Sequence, residues 1–202
     1  MPEKTTPSAP EPEGLRERKR LETRQRIAET ALRLFLAKGF EGTTLDAIAA
    51  ETGIARRTFF SYFKSKDDIA TFWLNASWES MYADILKMSP DMLPIDAVRD
   101  VMVRHTARYS SEEMTSLDRL LRSSETLVAR KQAFYLQQEQ ALFLTLCQVW
   151  RQPERRPALR MVAMASIGAM RLATQAWQEQ TGQPRPAAKF LREAFQNLKA
   201  EL

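Results

Sequence analysis

Apolar residues recur at helical spacing along most of the chain, and this pattern predicts helices rather than strands. Ile27, Ala31 and Leu34, for example, mark one face of a first long helix, predicted for residues 21–38. The six glycines among 202 residues and the scarcity of β-branched runs also favour helix over sheet. We therefore predict an all-α fold of about nine helices.

A helix-turn-helix is predicted where two short apolar patterns flank a glycine. Leu45 and Ile48 lie three residues apart, so a short helix would turn one apolar side inward. Gly53 can take the left-handed backbone that ends such a helix in a sharp turn. Phe59 and Phe63, one turn apart, would then anchor the second helix.

The outer face of this second helix has a chemistry that suits DNA. With Phe59 inward, a rotation of about 100° per residue places Arg57 and Ser61 on the opposite side and Thr58 and Phe60 on the flanks. An Arg can fork onto guanine in the major groove, a Thr methyl can touch thymine, and hydroxyls can bond phosphates. The alternative is a packed helical hairpin with a solvated, charged face.

Three motifs around this hairpin make the pattern more specific. They are ALRLFLAKGF at residues 31–40, GTT at residues 42–44 and YFKSKDDI at residues 62–69. Together with them, residues 24–74 resemble the DNA-binding domain of the TetR family of bacterial transcriptional repressors.

The resemblance implies an all-α homodimer in which the helix from about Arg56 reads the major groove and Lys66 touches the DNA backbone. The family often has Tyr where this chain has Phe60, so a phosphate contact through a phenol would be missing there, and packing against a sugar or a thymine methyl is the expected replacement. The candidate DNA-contacting residues are Thr43, Thr44, Arg56, Arg57, Thr58, Phe60, Ser61, Tyr62, Lys64 and Lys66.

Charge is concentrated in the part of the chain that carries these motifs. Residues 14–66 hold twelve Lys or Arg against six Asp or Glu, whereas residues 67–202 hold seventeen against sixteen. Such a basic domain is the electrostatic footprint expected for a nucleic-acid partner. We predict a helix-turn-helix domain at residues 14–66, a helical ligand-binding and dimerisation domain at residues 67–202, and a disordered, proline-rich tail at residues 1–13.

The basic residues before the motif have two interpretations. Basic arms in front of helix-turn-helix domains can reach the minor groove or adjacent phosphates. A solvated, basic helix start explains the same composition equally well. The residues concerned are Arg16, Arg18, Lys19, Arg20, Arg24 and Arg26.

The body is predicted as a series of helices separated by Pro, Ser and Gly. One continuous helix is predicted from Lys66 to about Lys87, and two prolines within residues 89–94 end it. The helices that follow are predicted at residues 95–110, 113–122, 125–150, 156–181 and 187–200.

The last two helices carry apolar stripes that favour a dimer interface. Small residues and methionines alternate in residues 156–181, so another helix could approach closely. In the resemblance, these two helices form a four-helix bundle with their symmetry mates; the alternative is that they only close the monomer's own core. The candidate interface residues are Met164, Ile167, Gly168, Phe190 and Phe195.

Members of the family generally bind a small molecule inside the body and release DNA on binding. Residues around Arg119 and Leu127 are also similar to a subgroup linked to the mycofactocin system, which points to an apolar or acyl-type effector. The candidate lining residues are Met102, His105, Tyr109, Met114, Phe134, Gln138, Met170, Arg171 and Trp177, most of which we expect to belong to the core.

Other function classes lack support in the sequence. A nucleophile motif, a Gly-rich phosphate loop and a paired acid and base are absent, and a single histidine, His105, offers no metal cluster, so we predict no enzyme, no metal and no cofactor. No apolar run approaches the length of a membrane span, and we expect a cytoplasmic protein. The prediction is a ligand-relieved repressor, with an effector-independent DNA-binding dimer as the alternative and a small helical enzyme as a weaker one.

Overall fold

The computed structural model describes residues 13–201, except for the side chains of Glu13, Trp73, Leu74 and Ala76. Within this range the fold is all-α, as predicted, and no strand occurs. The ten α-helices are α1 Glu13–Lys38, α2 Leu45–Thr52, α3 Arg56–Phe59, α4 Lys66–Ala70, α5 Phe72–Ile85, α6 Pro94–Thr106, α7 Ser111–Leu121, α8 Glu125–Val149, α9 Arg156–Gln178 and α10 Ala187–Ala200, with a short 3₁₀ turn at Pro153–Arg155.

The chain divides into two compact units between Ala70 and Thr71. This boundary lies four residues beyond the predicted one. The predicted tail at residues 1–13 falls outside the described residues except for Glu13, where α1 already begins. The first helix therefore starts eight residues before the predicted Leu21.

The predicted continuous helix from Lys66 to Lys87 is wrong. The chain forms α4 and α5 instead, which are separated at Thr71. Thr71 has φ −90° and ψ −6° and is the N-cap of α5, and its carbonyl accepts a hydrogen bond from the backbone N–H of Asn75 at 3.2 Å. The hydrogen-bond ladder thus restarts at this residue, and the helix count rises from nine to ten.

The first unit is a small bundle whose core comes from α1 to α4. Helix α1 packs against α2 and α4. The buried side chains are Ile27, Ala28, Ala31, Leu34, Phe35, Phe40, Ile48, Ala49, Phe59, Phe63, Ile69 and Ala70. Almost every residue predicted to face inward in this unit does so.

The second unit is organised around α9, which packs against α6, α8 and α10. Its core is apolar and includes Val98, Val101, Leu142 and Leu159. The proline segment before α6 is tied to the end of α8, because the indole N–H of Trp150 donates to the carbonyl of Pro90 at 2.8 Å. No helix within the described residues has the length and apolar character that crossing a membrane requires.

The body helices lie within four residues of the predicted bounds. The start of α7 shows how a local side chain sets one of these ends. The backbone N–H of Ser110 donates to the Glu113 carboxylate at 2.8 Å, and the Ser110 hydroxyl accepts from the Glu113 N–H at 3.2 Å. This capping box starts the helix at Ser111 rather than at residue 113.

Candidate nucleic-acid interface

Helix α2 is fixed at its start by Thr44 and at its end by Gly53, the residue predicted to end it. The Thr44 hydroxyl accepts a hydrogen bond from the backbone N–H of Ala47 at 3.1 Å, so Thr44 is the N-cap. Gly53 has φ 68°, in the left-handed region, and its N–H bonds to the carbonyl of Ala50. The next N–H, from Ile54, bonds to the carbonyl of Ala49, which completes the reciprocal cap of a sharp turn.

Helix α3 is short, but its two phenylalanine anchors are buried as predicted. Phe59 is 0% exposed and Phe63 is 1% exposed. The helix proper ends at Phe59, and the chain continues in tight turns in which the N–H groups of Tyr62 and Phe63 both bond to the Phe59 carbonyl. Because these turns continue the right-handed course of the helix, the Phe59 and Phe63 rings lie on the same side.

The opposite side of α3 presents the polar residues that were predicted to face outward. Arg57, Thr58 and Ser61 are exposed, and the Phe60 ring is 38% exposed. The Ser61 hydroxyl donates to the Thr58 carbonyl at 2.6 Å, which leaves its lone pairs free to accept. We call Arg57, Thr58, Phe60 and Ser61 the reading face.

The neighbouring Arg56 already has partners within the unit. Its guanidinium lies 3.1 Å from the Asp46 carboxylate and 5.8 Å from the centre of the Phe60 ring. Both members of the ion pair are more than half exposed, so the pair contributes little to stability. Among the other candidates, Thr44 and Lys64 are exposed and Tyr62 is partly buried.

Thr43 has a structural position rather than an outward one, and we remove it from the candidate interface. Its side chain is 1% exposed, and its hydroxyl donates to the carbonyl of Gly39 at 2.8 Å, at the end of α1. Gly42 keeps this turn tight, because a Cβ on that residue would lie 2.5 Å from the carbonyl oxygen of Lys38.

Lys66 is anchored on the same turn. Its ammonium donates to the carbonyl of Phe40 at 2.8 Å and lies 4.6 Å from the centre of the Phe40 ring. Glu41 is 3.8 Å away. An ammonium group has three donors, so Lys66 can hold Phe40 and still donate to a phosphate. The Ser65 hydroxyl caps α4 by accepting from the Asp68 N–H at 3.1 Å.

The structure places the basic residues before the motif, for which two interpretations were open, within α1. Arg16, Lys19, Arg20 and Thr23 line a groove of about 370 Å³ together with Ser61 and Tyr62. Their spacing of i, i+3, i+4 and i+7 marks one helix face, and this was the available sequence signal. It was missed because the helix was predicted to begin only at Leu21.

The predicted effector residues of the body divide into core and surface. Met102, Phe134, Gln138 and Trp177 are buried, Met114 and Met170 are partly buried, and Tyr109 and Arg171 are exposed. The Gln138 side-chain carbonyl accepts a hydrogen bond from the Tyr82 hydroxyl at 2.5 Å, and burial raises the pKa of Tyr82.

His105 is a hydrogen-bonded core histidine. It is 4% exposed, and its Nε2 lies 2.9 Å from the Asp84 carboxylate, which links α6 to α5. The hydrogen bonds from His105 and Lys87 lower the pKa of Asp84 to about 2. Within the described residues, no group of three or more His, Cys, Asp or Glu side chains is placed to hold a metal ion.

Of the five residues predicted to lie at the dimer interface, three are buried within the single chain and two are not. Ile167, Phe190 and Phe195 belong to the chain's own core, at 3%, 7% and 2% exposure. Met164 is 46% exposed and Gly168 is partly exposed, so these two do lie on the outward side of α9. The stripe of α10 therefore closes the monomer, which was the alternative interpretation.

Comparison with known proteins agrees with this geometry. The family model described as bacterial regulatory proteins of the tetR family matches residues 27–71, which include the whole helix-turn-helix. Residues 27–71 are a TetR-family DNA-binding domain. The matched TetR segment extends from the core residues of α1 to Thr71.

Its relatives in the family are transcriptional regulators. TcmR of Streptomyces glaucescens is 33% identical over 114 residues, which are 56% of this chain and 50% of TcmR. MftR of Mycobacterium tuberculosis, named as a candidate regulator of mycofactocin biosynthesis, is 30% identical over 138 residues, which are 67% of this chain and 63% of MftR. The chain thus spans about half the length of TcmR and somewhat more of MftR.

Solved structures of TetR proteins share the fold along most of the chain. SmeT, solved in complex with triclosan, has a TM-score of 0.60 at 18% identity, over 89% of this chain and 91% of SmeT. A regulator from Aquifex aeolicus has a TM-score of 0.55 at 16% identity, over 89% and 99% of the two chains. At these identities the likeness establishes the fold alone.

Proposed function

We propose that this protein is a cytoplasmic, homodimeric transcriptional repressor that binds an operator through the reading face and leaves it when a small apolar or acyl-type effector binds the body. The observation that carries the DNA-binding part is the arrangement of α3 and the turns after it, where Phe59 and Phe63 are buried while Arg57, Thr58 and Ser61 face outward. A short cationic helix face held outward in this way has the size and chemistry of a major-groove reader.

The proposed operator is an inverted repeat. A dimer with two-fold symmetry presents two copies of α3, so its DNA site repeats the half-site in inverted orientation. Selection of bound duplexes from a randomised library tests this directly. Enrichment of an inverted repeat supports the proposal, and a pool that stays random after repeated rounds contradicts it.

Replacing Arg57 with alanine is expected to weaken operator binding by about 1–3 kcal/mol and to relax the preference at one base pair per half-site, because a fork onto guanine is lost. Lys64→Ala is the matched control. It removes the same charge from an exposed residue of the same segment, and it should weaken binding to all sequences alike and lower the salt dependence by about one unit for each phosphate that it no longer neutralises.

Fluorescence anisotropy with the selected operator and with single-base variants of it separates the two effects. Equal loss of sequence preference in both variants would mean that the reading face is assigned wrongly. Lys66→Ala is a poorer control, because Lys66 also holds the carbonyl of Phe40 and its removal disturbs the turn before α2.

The proposed dimer forms through the outward side of α9. Met161, Met164 and Leu172 are 63%, 46% and 65% exposed, and Gly168 lies between them. These positions follow one another at i, i+3, i+7 and i+11, so they form one continuous apolar strip. We call Met161, Met164, Gly168 and Leu172 the α9 strip.

Helix α8 widens this surface. The guanidinium of Arg171 donates to Gln132 at 3.0 Å, and that of Arg160 donates to Gln140. Leu136 lies midway between the two glutamines on the same side of α8 and is 69% exposed. Exposed apolar residues on two adjacent helices favour pairing with a second copy of the same surface in a four-helix arrangement.

The proposed effector site lies in the core of the body, where two polar atoms are buried without a partner in the described part of the chain. These are the Ser166 hydroxyl and the indole N–H of Trp177. They are eleven residues apart on one side of α9, which places them about 16 Å apart along the helix. A buried polar group without a partner is costly, so an elongated apolar ligand with oxygen acceptors could satisfy one or both.

Two structural relatives supply probes for this site. Thermus thermophilus FadR was solved with lauroyl-CoA and SmeT with triclosan. We expect a ligand of this kind, at about 100 times its dissociation constant, to raise the free energy of unfolding by about 2.7 kcal/mol. Thermal-shift measurements with lauroyl-CoA, free laurate and triclosan check this expectation.

Trp177→Phe should weaken binding of an active ligand by about 1 kcal/mol, or roughly fivefold, because the ring volume is largely kept while the indole donor is lost. The ligand-free melting curve of this variant controls for stability. No stabilisation by any probe, together with intact operator binding, would favour an effector-independent regulator instead.

A further inference from the structure

The amino-terminal half of α1 and the turns after α3 form a cationic groove that shares only Ser61 with the reading face. It is lined by three cations, Arg16, Lys19 and Arg20, and by three hydroxyl-bearing residues, Thr23, Ser61 and Tyr62. None of the described residues that line it is a carboxylate. We call it the α1 groove.

The position of α1 beside α3 and the turns after it is set by packing. The guanidinium of Arg24 lies 5.1 Å from the centre of the Phe63 ring, and Phe63 is itself a core residue of the first unit. Arg20 and Arg16 follow at one and two turns towards the amino terminus, on the same side of the helix. The cations of the groove are therefore held beside Ser61 and Tyr62 by α1, and the later residues of α1 belong to the core of the first unit.

One cation of α1, Arg18, lies on the side away from the groove. Arg18 lies about 160° away from both Arg16 and Arg20 around the helix, and it pairs with Glu22 at 3.5 Å. Glu22 is thus paired with a cation outside the groove, and the described residues that line the groove are cationic or hydroxyl-bearing. Concentrated cations beside the hydroxyl donors of Thr23 and Tyr62 form a site for an anion with several oxygen acceptors.

Ser61 belongs to both the α1 groove and the reading face. This shared position indicates which anion the groove binds. When α3 lies in the major groove of a DNA duplex, the DNA strand that borders this groove lies next to Ser61 and so next to the α1 groove. Along α1, Arg16 and Thr23 are about 10 Å apart, which corresponds to about three nucleotides of one strand at 3.4 Å each. We propose that the α1 groove binds the sugar–phosphate backbone of duplex DNA beside each half-site, and this inference rests on the proposed function.

The proposal has a signature that differs from base reading. Cations that neutralise phosphates release counterions, so the slope of log affinity against log salt falls by about 0.9 for each phosphate that is no longer neutralised. Arg20→Gln and Arg16→Gln each remove one phosphate-binding cation per subunit, so the slope of the dimer should fall by about 1.8 in each variant. The affinity should fall by the same factor for a selected operator and for a duplex of mixed sequence and equal length.

Arg18→Gln is the matched control, since it removes the same charge from the opposite side of the same helix and keeps a residue with good helix propensity. Its slope should stay close to that of the unsubstituted protein. Tyr62→Phe should weaken binding less than the arginine replacements, because it removes one neutral donor. Circular dichroism checks that all variants keep their helix content.

The outcomes separate the two proposals. If Arg16→Gln and Arg20→Gln bind with the same slope as Arg18→Gln while sequence-specific binding persists, the α1 groove is not a backbone site and the reading face stands. If the unsubstituted protein binds neither the selected nor the mixed duplex, the proposed function itself fails. A loss of preference confined to certain bases in Arg20→Gln would contradict the backbone assignment.

Discussion

Leu172→Glu is expected to convert the protein to a monomer and to lower its affinity for an inverted-repeat operator by at least about 100-fold. Leu172 is 65% exposed in the single chain, so the substitution costs the monomer little. In the proposed dimer, the α9 strip of one subunit faces the strip of its partner. Two uncompensated carboxylates would then be buried, at a cost of about 3 kcal/mol or more.

Leu93→Glu is the control for this experiment. Leu93 is 57% exposed, belongs to the same unit and lies before α6, outside the α9 strip. It should leave the association state unchanged, because it adds the same charge away from the proposed interface. Sedimentation equilibrium measures the association, and anisotropy with full and half operators measures the binding.

A Leu172→Glu protein that dimerises as well as Leu93→Glu would rule out the α9 strip as the interface. The predicted monomer should still bind a single half-site weakly, because the reading face lies in the other unit. Loss of binding to the half operator as well would indicate that the substitution damages more than the dimer.

The local elements of the first unit could be predicted because each depends on a few adjacent residues. Gly53 ends α2 through its own backbone conformation, and Thr44 caps α2 through a side chain three residues from its donor. The alternation of Phe59 with Arg57 and Ser61 follows from the helical repeat alone. Local rules therefore predicted the candidate reading face.

The features that sequence reasoning missed depend on long-range packing. Thr43 sits in the same motif as Thr44, yet it is buried against the end of α1, and only the fold distinguishes the two. Likewise, Phe190 and Phe195 make an apolar stripe that would suit a partner, but α6 and α9 cover it within the same chain. An apolar pattern indicates burial, and it does not identify what causes the burial.

The break at Thr71 had no clear sequence signal. Neither Pro nor Gly occurs between Lys66 and Lys87, so the pattern favoured one helix. The observed division into two units falls at the same residue. The interruption of the helix thus coincides with the domain boundary.

Phe59→Ala is expected to destabilise the helix-turn-helix unit by about 3–5 kcal/mol, which is the usual cost of removing a buried phenylalanine ring. Phe59 is 0% exposed and belongs to the core of the first unit. A domain has only about 5–15 kcal/mol of stability in total, so a large part of it would be lost. The reading face would then lose its support, and operator binding should fall with it.

Phe60→Ala is the matched control, because it removes the same ring from the next residue, where the ring is 38% exposed. We expect a loss of about 1 kcal/mol or less. Hydrogen exchange resolved by segment suits this comparison, since it reports residues 27–63 separately from the body. A loss of about 3 kcal/mol in the free energy of unfolding makes exchange about 150-fold faster. Equal exchange in the two variants would show that the Phe59 ring does not support the hairpin, and the outward presentation of Arg57 would need another cause.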